Sequence, residues 1–324
     1  MSEAVAPHPP EANAQSPRPA PGGWLRRALE SDVFYSFRRS RLTMLAAAVT
    51  LLFFLLAIFA PLLSVQNPFD PAQLQLANSR FAPLWTADGQ SPFLLGTDEQ
   101  GRDVLSAILY GLRVSLTVGV LGVLLSGTLG IVLGLIAGYV GGAVDSLIMR
   151  IADVQLTFPA ILIALLVNGI AKSVFGNRID ALSMLAVLVI AIGLSFWVQY
   201  ARTVRGSVLV EKNKDYVAAA QLIGLPAPVI MLRHVLPNAM GPVLVIATIN
   251  LALAIITEAT LSFLGVGLPD TMPSLGTLIR IGNNYLFSGE WWIVAFPGIA
   301  LAALILSINL LGDWLRDALN PRLR

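Results

Sequence analysis

The residues that could carry chemistry are few, and their spacing assembles no reaction centre. The chain has no cysteine, which removes disulfides, thiolate metal sites and cysteine nucleophiles together. A phosphate-cradling loop needs Gly-Lys followed by Ser or Thr, whereas Lys172, Lys212 and Lys214 follow Ala171, Glu211 and Asn213. The histidines, His8 and His234, lie far apart and outside every long apolar run, so they form no metal site in a membrane. No Gly-x-Ser-x-Gly elbow occurs. What remains is a set of charges beside or within apolar runs, where an ionisable group is costly and is paired or functional. Arg150 and Asp153 are three apart and share a helix face, either as an interfacial ion pair or as a gate contact. Glu258 lies roughly 24 Å along the apolar run from Pro242. There it either bonds neighbouring groups or lines a solute path. Asp98, Arg102 and Asp103 belong to a tight mixed-sign cluster, either a capped turn or a docking surface for a protein outside the membrane.

Elements that place such charges must be membrane helices. Hydrophobic residues make up 56% of the chain and charged ones only 12%, about half the proportion of a soluble domain. The mean hydropathy is +0.75. These charges cannot cover a water-soluble body, and they cluster between long uncharged runs. The net charge of +2 implies neither a nucleic acid nor an acidic substrate. Pro7, Pro9, Pro10, Pro17, Pro19 and Pro21 make 1–23 a disordered cytoplasmic tail in expectation. It lacks the apolar core of a secretory signal, so the first span is expected to stay as an uncleaved anchor.

About 20 apolar residues cross a bilayer. Six runs qualify: Leu42 to Val65, Val114 to Val140, Ile148 to Ile170, Ala181 to Tyr200, Pro242 to Leu264, and Trp291 to Leu311. They divide the chain into an amphipathic segment 24–41, a first span 42–65 and an outer segment 66–113. A core domain 114–315 and a tail 316–324 follow. With the N-terminus inside, most basic residues (Arg18, Arg26, Arg27, Arg38, Arg39, Arg41, Arg202, Arg205, Lys212, Lys214, Arg233, Arg316, Arg322, Arg324) fall on the cytoplasmic side. Fewer fall outside (Arg80, Arg102, Arg113, Lys172, Arg178, Arg280). This asymmetry predicts both termini in the cytoplasm. In the second run Gly122, Ser126, Gly130, Gly134 and Gly138 recur every fourth residue, a stripe for close helix packing within the chain or between subunits.

The cytoplasmic loop 202–241 is too apolar to be idle. Asp215 to Gly224 reads as a short helix, with Asp215 as N-cap and Gly224 at the left-handed C′ position. Pro226 and Pro228 open a second segment, Val229 to Leu236, that stops at Pro237. Two turns of helix are marginal alone in water. Val217, Leu222, Ile223 and Leu225 therefore need cover, from the chain's own bundle or from a partner.

This loop resembles the "EAA" loop of ABC-importer permeases: Glu-Ala-Ala, three residues, Gly, nine residues, Ile, one residue, Leu-Pro. Here Ala218-Ala219-Ala220 is followed at those spacings by Gly224, His234 and Leu236-Pro237. Alanine stands at the glutamate position and histidine at the isoleucine position, so no salt bridge from residue 218 is implied, while a helix-in-groove contact is. Leu95 to Val104 (LGTDEQGRDV), Glu258 to Gly267 (EATLSFLGVG), Pro273 to Gly276, with leucine where the family usually has tryptophan at 275, and Asn309 to Leu323 narrow the resemblance. It is to the C-type permease of oligopeptide and dipeptide importers, from about residue 30 to the end.

The resemblance implies an all-α membrane protein of six transmembrane helices with the type I importer permease fold, multi-pass in the bacterial inner membrane. It implies a homologous second permease, two cytoplasmic ATPases carrying ATP and Mg, and a periplasmic solute-binding protein. The chain itself would hold no cofactor and catalyse nothing. The ATPase-coupling residues would be Asp215, Tyr216, Ala218, Ala219, Ala220, Gly224, Leu225, Leu236 and Pro237. Asp98, Arg102, Asp103 and Glu258 would dock the binding protein or gate the outer side. An ion-coupled secondary transporter is the alternative, although no repeat and no midplane carboxylate favours it. An intramembrane enzyme lacks a nucleophile or metal cluster.

Overall fold

The computed structural model describes residues 32–175 and 180–319. The tail 1–23, residues 24–31 of the amphipathic segment and the last five residues lie outside the described residues. The chain divides into two units, Met1–Ser40 and Arg41–Arg324. The first contributes helix α1 (Asp32–Arg39), with Arg38 and Arg39 in its last turn, where cations complement the helix dipole.

The second unit is helical. Among the described residues there is no strand, only isolated bridges between Ala82 and Gly89 and between Thr97 and Asp103. Helix α2 (Arg41–Ile58) is followed by a single turn, Ala60–Leu63. Helix α3 (Val104–Val140) is 37 residues long, roughly 55 Å against a hydrocarbon core of about 30 Å. It starts ahead of the expected Val114. The sequence boundary followed the charge at Arg113, but the true start is set by Asp103, whose Oδ2 accepts from Ser106 N at 2.8 Å and Ser106 Oγ at 2.5 Å. Gly141, at φ +71°, ends the helix.

The expected straight span Ile148 to Ile170 is replaced by two helices, α4 (Gly142–Leu156) and α5 (Ala160–Phe175), bent by 93°. Pro159 explains the break: it has no N–H, and its ring drives the preceding residue away from helical geometry. Helix α6 (Ala181–Glu211) outruns the expected Tyr200 and carries Arg202 and Arg205 past the apolar run. Helix α7 (Asp215–Leu222) follows.

Helix α8 (Ala227–Phe263) is continuous, which corrects both the stop at Pro237 and the later start at Pro242. Residues Ile230–Val235 form a π turn immediately before Pro237. Such a turn relocates the carbonyls with which a proline ring would collide, so the chain passes through. A short helix α9 (Leu275–Asn283), capped by Ser274, and α10 (Trp292–Ala318) complete the unit.

Five of these helices (α2, α3, α6, α8, α10) are long and apolar enough to cross a membrane, and the bent α4–α5 pair would make a sixth. Three buried clusters hold them together. Ala57, Leu116, Ile255, Leu278, Trp292 and Leu304 join α2, α3, α8, α9 and α10. Val118, Ala164, Ile192 and Leu261 join α3, α5, α6 and α8. Leu135, Val204, Val208, Val217 and Val243 join α3, α6, α7 and α8. The stripe on α3 resolves as packing within the chain. A Cβ at Gly130 or Gly134 would overlap the carbonyls of Trp197 or Ala201, and one at Gly138 would stand 3.1 Å from the Arg205 carbonyl. The backbones of α3 and α6 thus touch along that line.

Candidate functional site

Helix α7 sits at the end of the bundle opposite residues 66–103. It begins in a turn from α6 that is closed by its own side chains. Lys214 Nζ donates to Glu211 Oε1 at 2.7 Å, and Tyr216 Oη donates to Glu211 Oε2 at 2.6 Å. Asn238 Nδ2 on α8 reaches Tyr216 Oη at 3.1 Å, so one phenol ties α6, α7 and α8. Burial first, then the Glu211 carboxylate, hold the Tyr216 phenol above its ordinary value, which keeps it a donor.

The expected N-cap at Asp215 is corrected. Lys214 holds that position and no side chain caps the helix. Asp215 is the first helical residue, where its charge still opposes the dipole's positive end. The C-terminus is as the spacing predicts. Gly224 has φ +78°, its N–H donates to the Gln221 carbonyl at 3.0 Å, and Leu225 N–H donates to the Ala220 carbonyl at 3.1 Å. That pair of bonds is a Schellman closure.

The helix has two unlike faces. Val217 (0% exposed) and Ala220 (4%) pack into the α3–α6–α8 cluster, and Leu225 and Leu236 pack partly against it. Leu222 (88%) and Ile223 (76%) point away from the bundle. Asp215, Ala218, Ala219 and Pro237 are exposed too, so Asp215, Ala218, Ala219 and Leu222 make one outward stripe at helical spacing. Of the four apolar residues that needed cover, the bundle covers Val217 and part of Leu225. Leu222 and Ile223 remain open. At the exposed alanines a neighbour can approach the backbone closely.

A second set of contacts fastens α4 beside this end. Arg205 Nε and Nη2 donate to Asp145 Oδ1 and Oδ2 at 2.5 and 2.7 Å, a two-pronged pair. Lys212 Nζ donates to the Gly138 carbonyl in the last turn of α3 at 2.8 Å. Asp153 is bonded by Arg202 instead of Arg150. The expected Arg150–Asp153 pair is therefore corrected: α6 lies beside α4 and offers a nearer cation. Nothing in the local sequence marks these partners, which lie 60 and 49 residues apart.

At the other end, Asp98, Arg102 and Asp103 are buried at 2%, 1% and 1% exposure, so they offer no surface for docking. Arg102 Nε donates to Asp98 Oδ2 at 2.7 Å, and Arg102 Nη1 donates to the Asp270 carbonyl at 2.9 Å. Trp292 Nε1 donates to the Thr97 carbonyl at 3.2 Å. The cluster is a knot that ties residues 66–103 to the bundle. Glu258 is also fully buried, so of the two readings it is the bonding of neighbouring groups that the geometry shows. Its Oε2 accepts from Ser115 Oγ and its Oε1 from Ser262 Oγ, both at 2.7 Å, while Ser115 Oγ accepts from Leu275 N at 3.3 Å. One carboxylate thereby couples α3, α8 and α9. The sequence reading missed both serines and α9. The Ser274-x-x-Thr277 cap was the available signal for the helix.

Among the described residues no group of His, Cys, Asp or Glu could hold a metal ion. A bundle of apolar helices long enough to cross a membrane, with a two-faced helix presented at one end, defines a multi-pass membrane protein. Residues 130–324 match the family model described as "Binding-protein-dependent transport system inner membrane component", and residues 30–83 match the "N-terminal TM domain of oligopeptide transport permease C". The chain belongs to this family of inner-membrane transport permeases.

It is 36% identical to the dipeptide transport system permease protein DppC of Haemophilus influenzae, over 90% of this chain and 95% of that protein. It is 39% identical to DppC of Escherichia coli K12, over 90% and 93%. With the oligopeptide transport system permease protein OppC of Bacillus subtilis it shares 35% identity over 92% and 91%. A solved inward-facing MetNI methionine ABC transporter aligns with 66% of this chain and 94% of that one, at 19% identity and a TM-score of 0.48.

Proposed function

We propose that this chain is a permease subunit of an ATP-driven peptide importer in the bacterial inner membrane, with both termini cytoplasmic. In this reading a homologous second permease completes the pathway, two cytoplasmic ATPases bind ATP and Mg, and a periplasmic binding protein delivers the solute. The observation that carries it is α7: one face is seated in the bundle, and the other exposes Leu222 and Ile223 beside two alanines. Large apolar side chains at a polar end of a membrane protein mark a contact, and an apolar helix face seats in a groove of its partner. Because Val217 and Tyr216 anchor the helix to α6 and α8, a force on α7 passes to the spans as a rigid-body movement. Closure of the ATPases would turn the pathway outward, and hydrolysis would return it.

Uptake of a radiolabelled dipeptide by cells that produce the complete transporter tests this. Leu222→Asp with Ile223→Asp should abolish uptake and ATPase co-purification while leaving membrane insertion intact. Wild-type uptake in that variant would refute the coupling role of α7. Normal co-purification without dipeptide uptake in the wild type would refute the peptide assignment.

A further inference from the structure

Arg113 is one of the arginines of the bundle that meet no carboxylate among the described residues. Arg102, Arg202, Arg205 and Arg280 each meet an aspartate. Arg113 has an exposed side chain with no ion pair or hydrogen bond from its guanidinium among the described residues. It lies on α3 roughly 14 Å from the helix start, at the end of the bundle that holds residues 66–103. Below it a groove of about 370 Å³ runs between α2 and α3, walled by Phe54, Ile58, Leu116, Val120 and Leu121. Thr117 also lines it, but its hydroxyl is spent on the Arg113 carbonyl at 2.7 Å. The groove is thus cationic at its mouth and apolar along its length, with Leu121 roughly 12 Å beyond Arg113 along the helix. A second cavity of about 330 Å³ shares Arg113 and Thr117, so the guanidinium can be approached from two sides.

We infer that this groove binds an anionic phospholipid, with the phosphate on Arg113 and one acyl chain laid between α2 and α3. An unpaired guanidinium at the hydrocarbon boundary is costly, and its planar fork matches phosphate oxygens. The occupant must be anionic at one end and apolar for roughly 12 Å below it. A phospholipid has that profile; a soluble anion matches only the first part. The inference does not depend on which solute is carried.

Native mass spectrometry of the full transporter, purified from membranes and stripped stepwise with detergent, tests the site. The wild type should retain one phosphatidylglycerol that an inorganic phosphate wash does not displace. Arg113→Ala should lower that occupancy roughly tenfold, equivalent to about 1.4 kcal/mol. Leu121→Trp, which fills the groove and keeps the cation, should lower it as well, and Arg113→Lys should keep part of it. Circular dichroism checks that each variant is folded, and Leu121→Trp with Arg113→Lys decide the matter should Arg113→Ala not fold. Equal lipid retention by wild type and variants would overturn the proposal, as would displacement by phosphate alone. So would efficient cross-linking of Leu121→Cys, unique in a cysteine-free chain, to a partner subunit.

Discussion

Glu258 shows how a helical bundle keeps a buried carboxyl group without an ion pair. Its two oxygens are each held by a serine hydroxyl, and no salt bridge reaches it among the described residues. Glu258→Ala leaves the two hydroxyl protons buried without their acceptor, which costs about 1–3 kcal/mol. Glu258→Gln keeps two polar contacts. Thermal unfolding in detergent should therefore show a clear loss for the alanine variant and a small one for glutamine. Gly134 makes the opposite demand, for absence of a side chain, because the Ala201 carbonyl fills the space. Gly134→Leu should force α3 and α6 apart, an overpacking cost of about 1–3 kcal/mol or more. Gly169, inside α5 with no atom that a Cβ would meet, serves as the control: Gly169→Ala should not lower stability and should raise it by up to about 1 kcal/mol.

Among the elements, α7 depends on its C-terminal closure. Gly224 alone supplies the positive φ that lets Leu225 turn back onto the bundle. Gly224→Ala should weaken the helix by about 1 kcal/mol, seen as faster amide exchange in 215–223 with the spans unchanged. Helix α8 illustrates a limit of local pattern. Pro237 and Pro242 argue for a break, yet the helix runs on because a π turn precedes Pro237. Ile230 and Val235 of that turn are buried in the cluster that joins α3, α6, α7 and α8. At Pro159 no such turn intervenes, and the chain bends by 93°. The same residue type thus gave two outcomes.

For the whole molecule, α4 is held to α6 by the buried contact of Ala152 with Trp197, Val198 and Ala201 and, beside it, by long-range ion pairs. The Asp145–Arg205 pair is partly exposed, 17% and 33% at the side chains, so its stabilisation is screened and modest, about 1 kcal/mol or less. Charge reversal is the sharper probe. Asp145→Arg should lower the detergent melting temperature by setting like charges together, and adding Arg205→Asp should restore most of it. A double reversal that stays as low as the single one would remove this clamp from the account.

Composition alone already excluded a water-soluble body, because 12% charge cannot cover a soluble surface. Uncharged runs located the apolar helices, and Gly224 located the end of α7, since backbone conformation and hydrophobic periodicity are local properties. Tertiary structure decided everything that needed a distant neighbour. It buried Asp98, Arg102 and Asp103 in a knot instead of presenting them, paired Asp153 with Arg202, and enclosed Glu258 between serines. It also split the apolar residues of α7 and its C-terminal turn, covering Val217 and leaving Leu222 and Ile223 open. Whether a side chain is covered depends on which helix lies beside it, and that is fixed by packing between segments tens of residues apart.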